Sequence, residues 1–153
     1  MKNKRPFSTE EFKKIYSKTP RLCVDLIINT PKGIVLSLRS IEPYKGEWHF
    51  PGGTVFYKEK IVDAIDRVAL EEVGITVRVE KLLGYIEYPS EDRKGRGFGY
   101  TVSMAFLCSA GSMDFIPSEE SSEIRVFRNL PAKLIKEQND FLKKVGLKLN
   151  PLI

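Results

Sequence analysis

The sequence predicts an α/β fold in which helices pack on the faces of a mixed sheet. Three observations carry that expectation. Alternating runs rich in Leu, Val and Ile recur from residue 21 onward, and helical segments with their own start and stop signals stand before, between and after them. The chain's 153 residues, 42% hydrophobic and 29% charged, suit one domain built round one core. No repeat, low-complexity tract or linker divides it, so the domain is expected to take in residues 1–153.

The elements follow in order. Ser8 with Glu11 forms a capping-box signature, so a short helix is expected over residues 9–17, ending before Pro20. Residues 21–29 alternate as a strand. Pro31, Lys32 and Gly33 turn the chain into residues 34–38, which completes a hairpin. Residues 47–50 make a short strand, and residues 60–73 a helix stopped by Gly74. Residues 76–88 and 100–109 read as strands joined by a polar loop carrying Gly95, Gly97 and Gly99. That loop links strand to strand, so its glycine spacing is no dinucleotide fingerprint. After a short strand over residues 124–127, Pro131 stands at a first-turn position. It is expected to open a helix through Val145 whose stripe is Leu134, Ile135, Gln138, Phe141, Leu142 and Val145.

Composition narrows the function classes. A formal net charge of +5 favours anionic partners, but the lysines are scattered and no basic stripe is interleaved with aromatics, so nucleic acid is not the expected partner. No apolar run reaches bilayer length and the N-terminus lacks a signal-peptide core, which makes the cytoplasm the expected location. Cys23 and Cys108 lie in apolar strand-like runs, as buried free thiols do. His49 is the only histidine, so no His/Cys metal-ligand spacing exists. In an extended W-H-F segment it points away from Trp48 and Phe50 and is assigned a packing or surface role.

The functional information concentrates in residues 53–75, GTVFYKEKIVDAIDRVALEEVGI. Gly53, Glu59, Arg67, Glu71, Glu72, Gly74 and Ile75 fall in register with G-x5-E-x7-R-E-U-x-E-E-x-G-U, where U is aliphatic. The stretch resembles the Nudix box of hydrolases that act on nucleoside diphosphates linked to another group. That resemblance implies a Nudix-type α/β/α sandwich with a mixed central sheet. It also implies Mg2+, with Mn2+ as the alternative ion, held by Glu71, Glu72 and a backbone carbonyl of the glycine loop, most plausibly that of Gly52. Arg67 stands four residues before Glu71 and eight after Glu59, so it can bridge the two acids and hold the loop against the helix. In catalytic roles the resemblance places Arg67 and Glu59.

One position departs from the pattern: Val68 stands where the first helix glutamate belongs. If the helix presents Val68, Glu71 and Glu72 on one face, the site loses a carboxylate there, unless Glu119, Glu120 or Glu123 of IPSEESSEIRVF supplies a replacement. Glu120 is the first choice as catalytic acid or base. GDP-mannose mannosyl hydrolases lack the same glutamate, and the layout here is similar to theirs from Thr19 and Pro20 through the glycine pair. The likeness implies that Asp25 and Arg39 contact a nucleotide sugar and that Arg67 stabilises the leaving diphosphate. It departs at Glu71, at Thr54 and at Ser121, which stands where that branch keeps its histidine base. Tyr100, at the start of its strand, is a further substrate-binding candidate, ahead of Tyr44 and Trp48. The expected activity is Mg2+-dependent hydrolysis of a small nucleoside diphosphate derivative, with a nucleotide sugar favoured. Attack at the sugar carbon and a non-catalytic nucleotide-binding module are the alternatives. The expected partner is a small-molecule nucleotide, with no membrane, and a homodimer is left open.

Overall fold

The computed structural model describes residues 6–92 and 95–147; the ends of the expected domain, and Arg93 and Lys94 of the glycine loop, lie outside it. The elements run α1 (Thr9–Tyr16), β1 (Arg21–Thr30), β2 (Gly33–Arg39), β3 (Trp48–His49), β4 (Gly52–Thr54), α2 (Ile61–Val73), β5 (Val77–Glu87), β6 (Thr101–Ala110), β7 (Ser121–Phe127) and α3 (Lys136–Val145). The strands join in one seven-stranded sheet of order β3-β2-β1-β6-β5, with β4 paired to β1 and β7 to β2. β1 and β6 run parallel and the other pairs antiparallel, so the sheet is mixed.

Strand alternation sorts side chains onto two helical layers. Val24, Leu26 and Ile28 of β1, with Val35 of β2, pack against Ala64, Ile65, Val68, Ala69 and Val73 of α2. Ile27, Ile34 and Leu36 point the other way and pack with Phe141 and Leu142 of α3. The result is an α/β/α sandwich. Among the described residues, no helix is long and apolar enough to cross a membrane.

Local signals behave as their chemistry requires. Ser8 and Glu11 close the capping box on α1, and Gly74 ends α2 in the left-handed conformation at φ 71°. The final helix begins later than Pro131 implies, at Lys136. Residues 131–135 are drawn into pairing with β3, where Trp48 N–H donates to the Lys133 carbonyl and Ile135 N–H to the Trp48 carbonyl. Those backbone groups cannot serve a helix at the same time.

β4, unexpected from the sequence, sets the geometry of the site. The end of β1 pairs with β2 at Asn29 and Thr30, while Cys23, Val24 and Asp25 pair with Thr54, Gly53 and Gly52. The glycine loop is thereby stitched to the middle of the sheet. A Cβ at Gly52 would stand 2.4 Å from Asp25 Oδ1, so only glycine fits opposite that carboxylate.

Candidate active site

Arg67 organises the α2 side of the site. Its Nε and Nη2 donate to the two oxygens of Glu59 at 2.8 and 3.0 Å, its Nη1 to Glu71 Oε2 at 2.9 Å, and its Nη2 also to the Thr54 carbonyl at 2.6 Å. The guanidinium lies 3.8 Å from the Phe56 ring centroid. Arg67 therefore ties the loop after β4 to the middle of α2, and its hydrogen bonds hold the Glu59 carboxyl below the usual carboxylate range. Glu59 does not line the cleft. Both of its oxygens are engaged by Arg67, and Oε1 also accepts the Phe56 N–H at 3.1 Å.

Val68 does not share the face of Glu71 and Glu72. It is 1% exposed within the α2 core, and its Cγ2 would lie 3.0 Å from a Cβ at Gly53. The position of the missing glutamate is thus the apolar underside of the glycine loop. Glu71 and Glu72 line the cleft above it, and Ser118 Oγ donates to Glu72 Oε2 at 3.4 Å. Among the described residues, no three His, Cys, Asp or Glu side chains gather closely enough to enclose a metal ion. The Glu71 and Glu72 carboxylates and Gly52 line one cleft and offer only oxygen donors. That set fits an open Mg2+ or Mn2+ site completed by water and phosphate oxygens, and it does not make a closed cage.

The opposite wall is a buried hydrogen-bond chain whose direction is fixed from one end. Phe50 N–H can only donate, and it meets Gln138 Oε1 at 2.7 Å. The amide of Gln138 therefore turns its Nε2 to the Tyr88 hydroxyl at 3.0 Å, which leaves that hydroxyl to donate to Asp25 Oδ2. Burial pushes the Asp25 carboxyl up to about 6, against the opposing pull of the Tyr88 bond. On the other face of the sheet, Arg39 Nε donates to the Pro43 carbonyl at 2.9 Å. Burial lowers its pKa and the Glu72 carboxylate works the other way.

One cleft of about 980 Å³ gathers most of the expected residues: Asp25, Arg39, Gly52, Arg67, Glu71, Glu72 and Glu120 all line it, with Glu119 beside them. Besides Glu59, other positions weighed from the sequence do not line it. Tyr100 lies outside the lining and its hydroxyl donates to Glu87 at 3.1 Å. Glu123 pairs with Arg125 on an exposed strand face, and Ser121 is buried in β7 opposite Arg39. Trp48 packs edge-on against Phe127 in the core, whereas Tyr44 reaches the cleft.

Sequence reasoning passed over Arg21, Glu91, Arg96 and Phe98, which build one end of the cleft. Glu91 is 4% exposed and holds both arginines, Arg21 at 3.1 Å and Arg96 at 3.5 Å. Arg96 also lies over Phe98. A charged pair split across 70 residues leaves no local signal. His49 was placed as packing or surface. It is 7% exposed, yet it lines the cleft, and its Nδ1 lies 2.7 Å from the Phe50 carbonyl.

Comparison with known proteins bears on the same segment. The model of the NUDIX domain matches residues 19–145, which include the box, the glycine loop and both walls. The chain belongs to that family. Membership carries the coarse activity of the Nudix hydrolases, cleavage of a diphosphate in a nucleotide-linked compound. The chain is 36% identical over 120 residues to the low-salt glycan biosynthesis protein Agl8 of Haloferax volcanii, covering 77% of each chain. It is 32% identical over 126 residues to an ADP-ribose pyrophosphatase of Methanocaldococcus jannaschii, covering 81% of this chain and 72% of that one. Among solved structures, a NUDIX hydrolase from Nitrosomonas europaea superposes with a TM-score of 0.69 at 28% identity, over 82% of this chain and 69% of that one. A MutT protein from Methanosarcina mazei shares the fold with a TM-score of 0.73 at 21% identity, over 84% of this chain and 95% of that one.

Proposed function

We propose that this Nudix protein hydrolyses the diphosphate of a nucleoside diphosphate joined to a sugar, with one Mg2+ or Mn2+ ion held by Glu71, Glu72 and the Gly52 carbonyl. The observation that carries the reading is the shared cleft. The two box carboxylates and Gly52 line the same cavity as the Arg39 cation and the Asp25 carboxylate, and about 980 Å³ is room for such a ligand. The two relatives at 36% and 32% identity carry names that refer to glycan biosynthesis and to ADP-ribose, which fits a sugar-bearing ligand.

When bound, the ion neutralises phosphate oxygens and acidifies water at its surface. The chain does the rest. Arg67 keeps Glu71 and the loop after β4 at fixed spacing, and Arg39 offers a cation to the diphosphate. Asp25 accepts a hydroxyl of ribose or sugar. Glu120, or Glu119 beside it, takes the proton of the attacking water from the late loop. Ser118 ties that loop to Glu72.

Attack at the sugar carbon is the second reading. It draws on the same late-loop acids, since Ser121 is buried outside the cleft and a serine is no base unaided. Hydrolysis of a nucleotide-sugar panel in ¹⁸O-water separates the two. Label on a released phosphate is the expected result, and label on the free sugar establishes carbon attack. Tight binding with no turnover in Mg2+ or Mn2+ overturns both and leaves a binding module.

A further inference from the structure

We infer that His49 is a specificity residue of this cleft, a neutral acceptor for a hydroxyl of the sugar carried on the diphosphate. The assignment rests on the nucleotide-sugar reading and adds to it a residue which that reading does not use. It starts from the hydrogen bond at Nδ1. A backbone carbonyl can only accept, so the 2.7 Å contact with the Phe50 carbonyl requires Nδ1 to carry the proton. Nε2 then presents a bare lone pair.

That lone pair has no partner, although the residue is 93% buried, being 7% exposed, and lines the cleft. A buried acceptor left unmatched is costly, and it persists where something outside the chain supplies the donor.

The surroundings select the ligand class. Burial and the neighbouring Arg39 guanidinium keep the imidazole uncharged at neutral pH. Arg39 in turn senses the Glu72 carboxylate. An uncharged acceptor beside that cation does not attract phosphate. It suits a hydroxyl on the group next to the phosphate, in the cleft that His49 and Arg39 both line.

Because His49 is the chain's only histidine, ring-¹⁵N labelling gives one imidazole to watch. The probes are ADP-ribose, GDP-mannose and UDP-glucose, each against its sugar-free diphosphate, titrated in EDTA so that nothing turns over. The expected result on the wild-type protein is an upfield movement of the Nε2 resonance with at least one sugar nucleotide and none with the matching diphosphate. His49→Asn keeps a donor for the Phe50 carbonyl and deletes Nε2, whereas His49→Gln puts an amide oxygen near the Nε2 position. The Asn variant is expected to lose about tenfold in affinity for that sugar nucleotide, with less than about twofold change for the diphosphate, and the Gln variant to recover most of it. An unmoved resonance overturns the assignment, and a site filled by water alone gives that result. Equal losses for both ligands overturn it as well. If the wild-type protein binds none of the six nucleotides either in EDTA or with Mg2+, the function reading fails and this assignment with it. Binding without the sugar-dependent difference sinks this assignment alone.

Discussion

The two walls of the cleft are fastened in different ways. On the α2 side Arg67 reaches partners four, eight and thirteen positions away in the chain, all through charge-assisted or carbonyl-directed bonds. On the other side the links from Asp25 to Tyr88, Tyr88 to Gln138 and Gln138 to Phe50 span 63, 50 and 88 positions. The first wall is a local motif that a helix and its preceding loop bring together by themselves. The second exists only once β1, the end of β5, the β3 segment and α3 have packed. The Arg67 wall is thus held by contacts close in sequence, while the Asp25 carboxylate depends on partners from the sheet and from α3.

Val68 tests the boundary between the wall and the core. It is 1% exposed under Gly53, so Val68→Glu puts an unpaired carboxylate into the apolar layer and is expected to cost about 3–5 kcal/mol. This is the largest effect expected. Urea and thermal unfolding with and without Mg2+ measure it. Equal destabilisation in both places the residue in the core, and recovery in Mg2+ would instead put its side chain in the metal site.

A loss of chemistry without a loss of fold is expected from Glu72→Gln. The swap keeps shape and removes the charge. Residues that merely orient a metal ligand are worth roughly 10–100-fold in activity, so a ligand should cost at least about 100-fold. The melting temperature should hold, because Glu72 lines the open cleft and the swap keeps the size of the side chain. Calorimetric Mg2+ titration of the folded variant, with turnover beside it, decides the matter; wild-type values for both exclude Glu72 as a ligand.

What could be read in the chain follows the same division. The strands other than β4, α1 with its capping box, and α2 with its Gly74 stop were legible because each depends on neighbours within a turn or two. The box acids, Arg67 and the glycine pair were legible because they fall at fixed spacing on one loop and one helix. Val68 was only half legible. Helical spacing put it both in the apolar stripe and one turn from Glu72, and the contact with Gly53 that decides between them comes from β4 pairing with β1. Gln138 looked like one polar interruption in the stripe of α3. Nothing nearby signals that it answers the Phe50 N–H across 88 residues. Arg21 with Glu91, and the turn of His49 toward the cleft, stayed hidden for the same reason, since each is created by strand pairing and not by sequence spacing.

The smallest effect expected sharpens the contrast between Asp25 and His49, which bury ionisable groups of opposite kind. Asp25 is raised to about 6 from 3.8, so between about pH 4 and 6 the folded chain keeps a proton that the unfolded chain releases. Its contribution to stability falls as pH rises through that window, and its full cost is present above pH 6. His49 is lowered from 6.5 to about 3, so over that range the unfolded chain takes up a proton that the folded chain refuses, and stability rises with pH. Each slope approaches about 1.4 kcal/mol per pH unit, and between about pH 4 and 6 they oppose one another. Asp25→Asn removes one slope and leaves the other. Its stability should therefore fall relative to wild type by about 1 kcal/mol for each unit of acidification from pH 6 to 4, while His49→Gln should gain relative to wild type by a similar amount. Urea midpoints at several pH values across the window read both. Curves for either variant that run parallel to wild type would show that its carboxyl or imidazole titrates in the fold as it does in the unfolded chain.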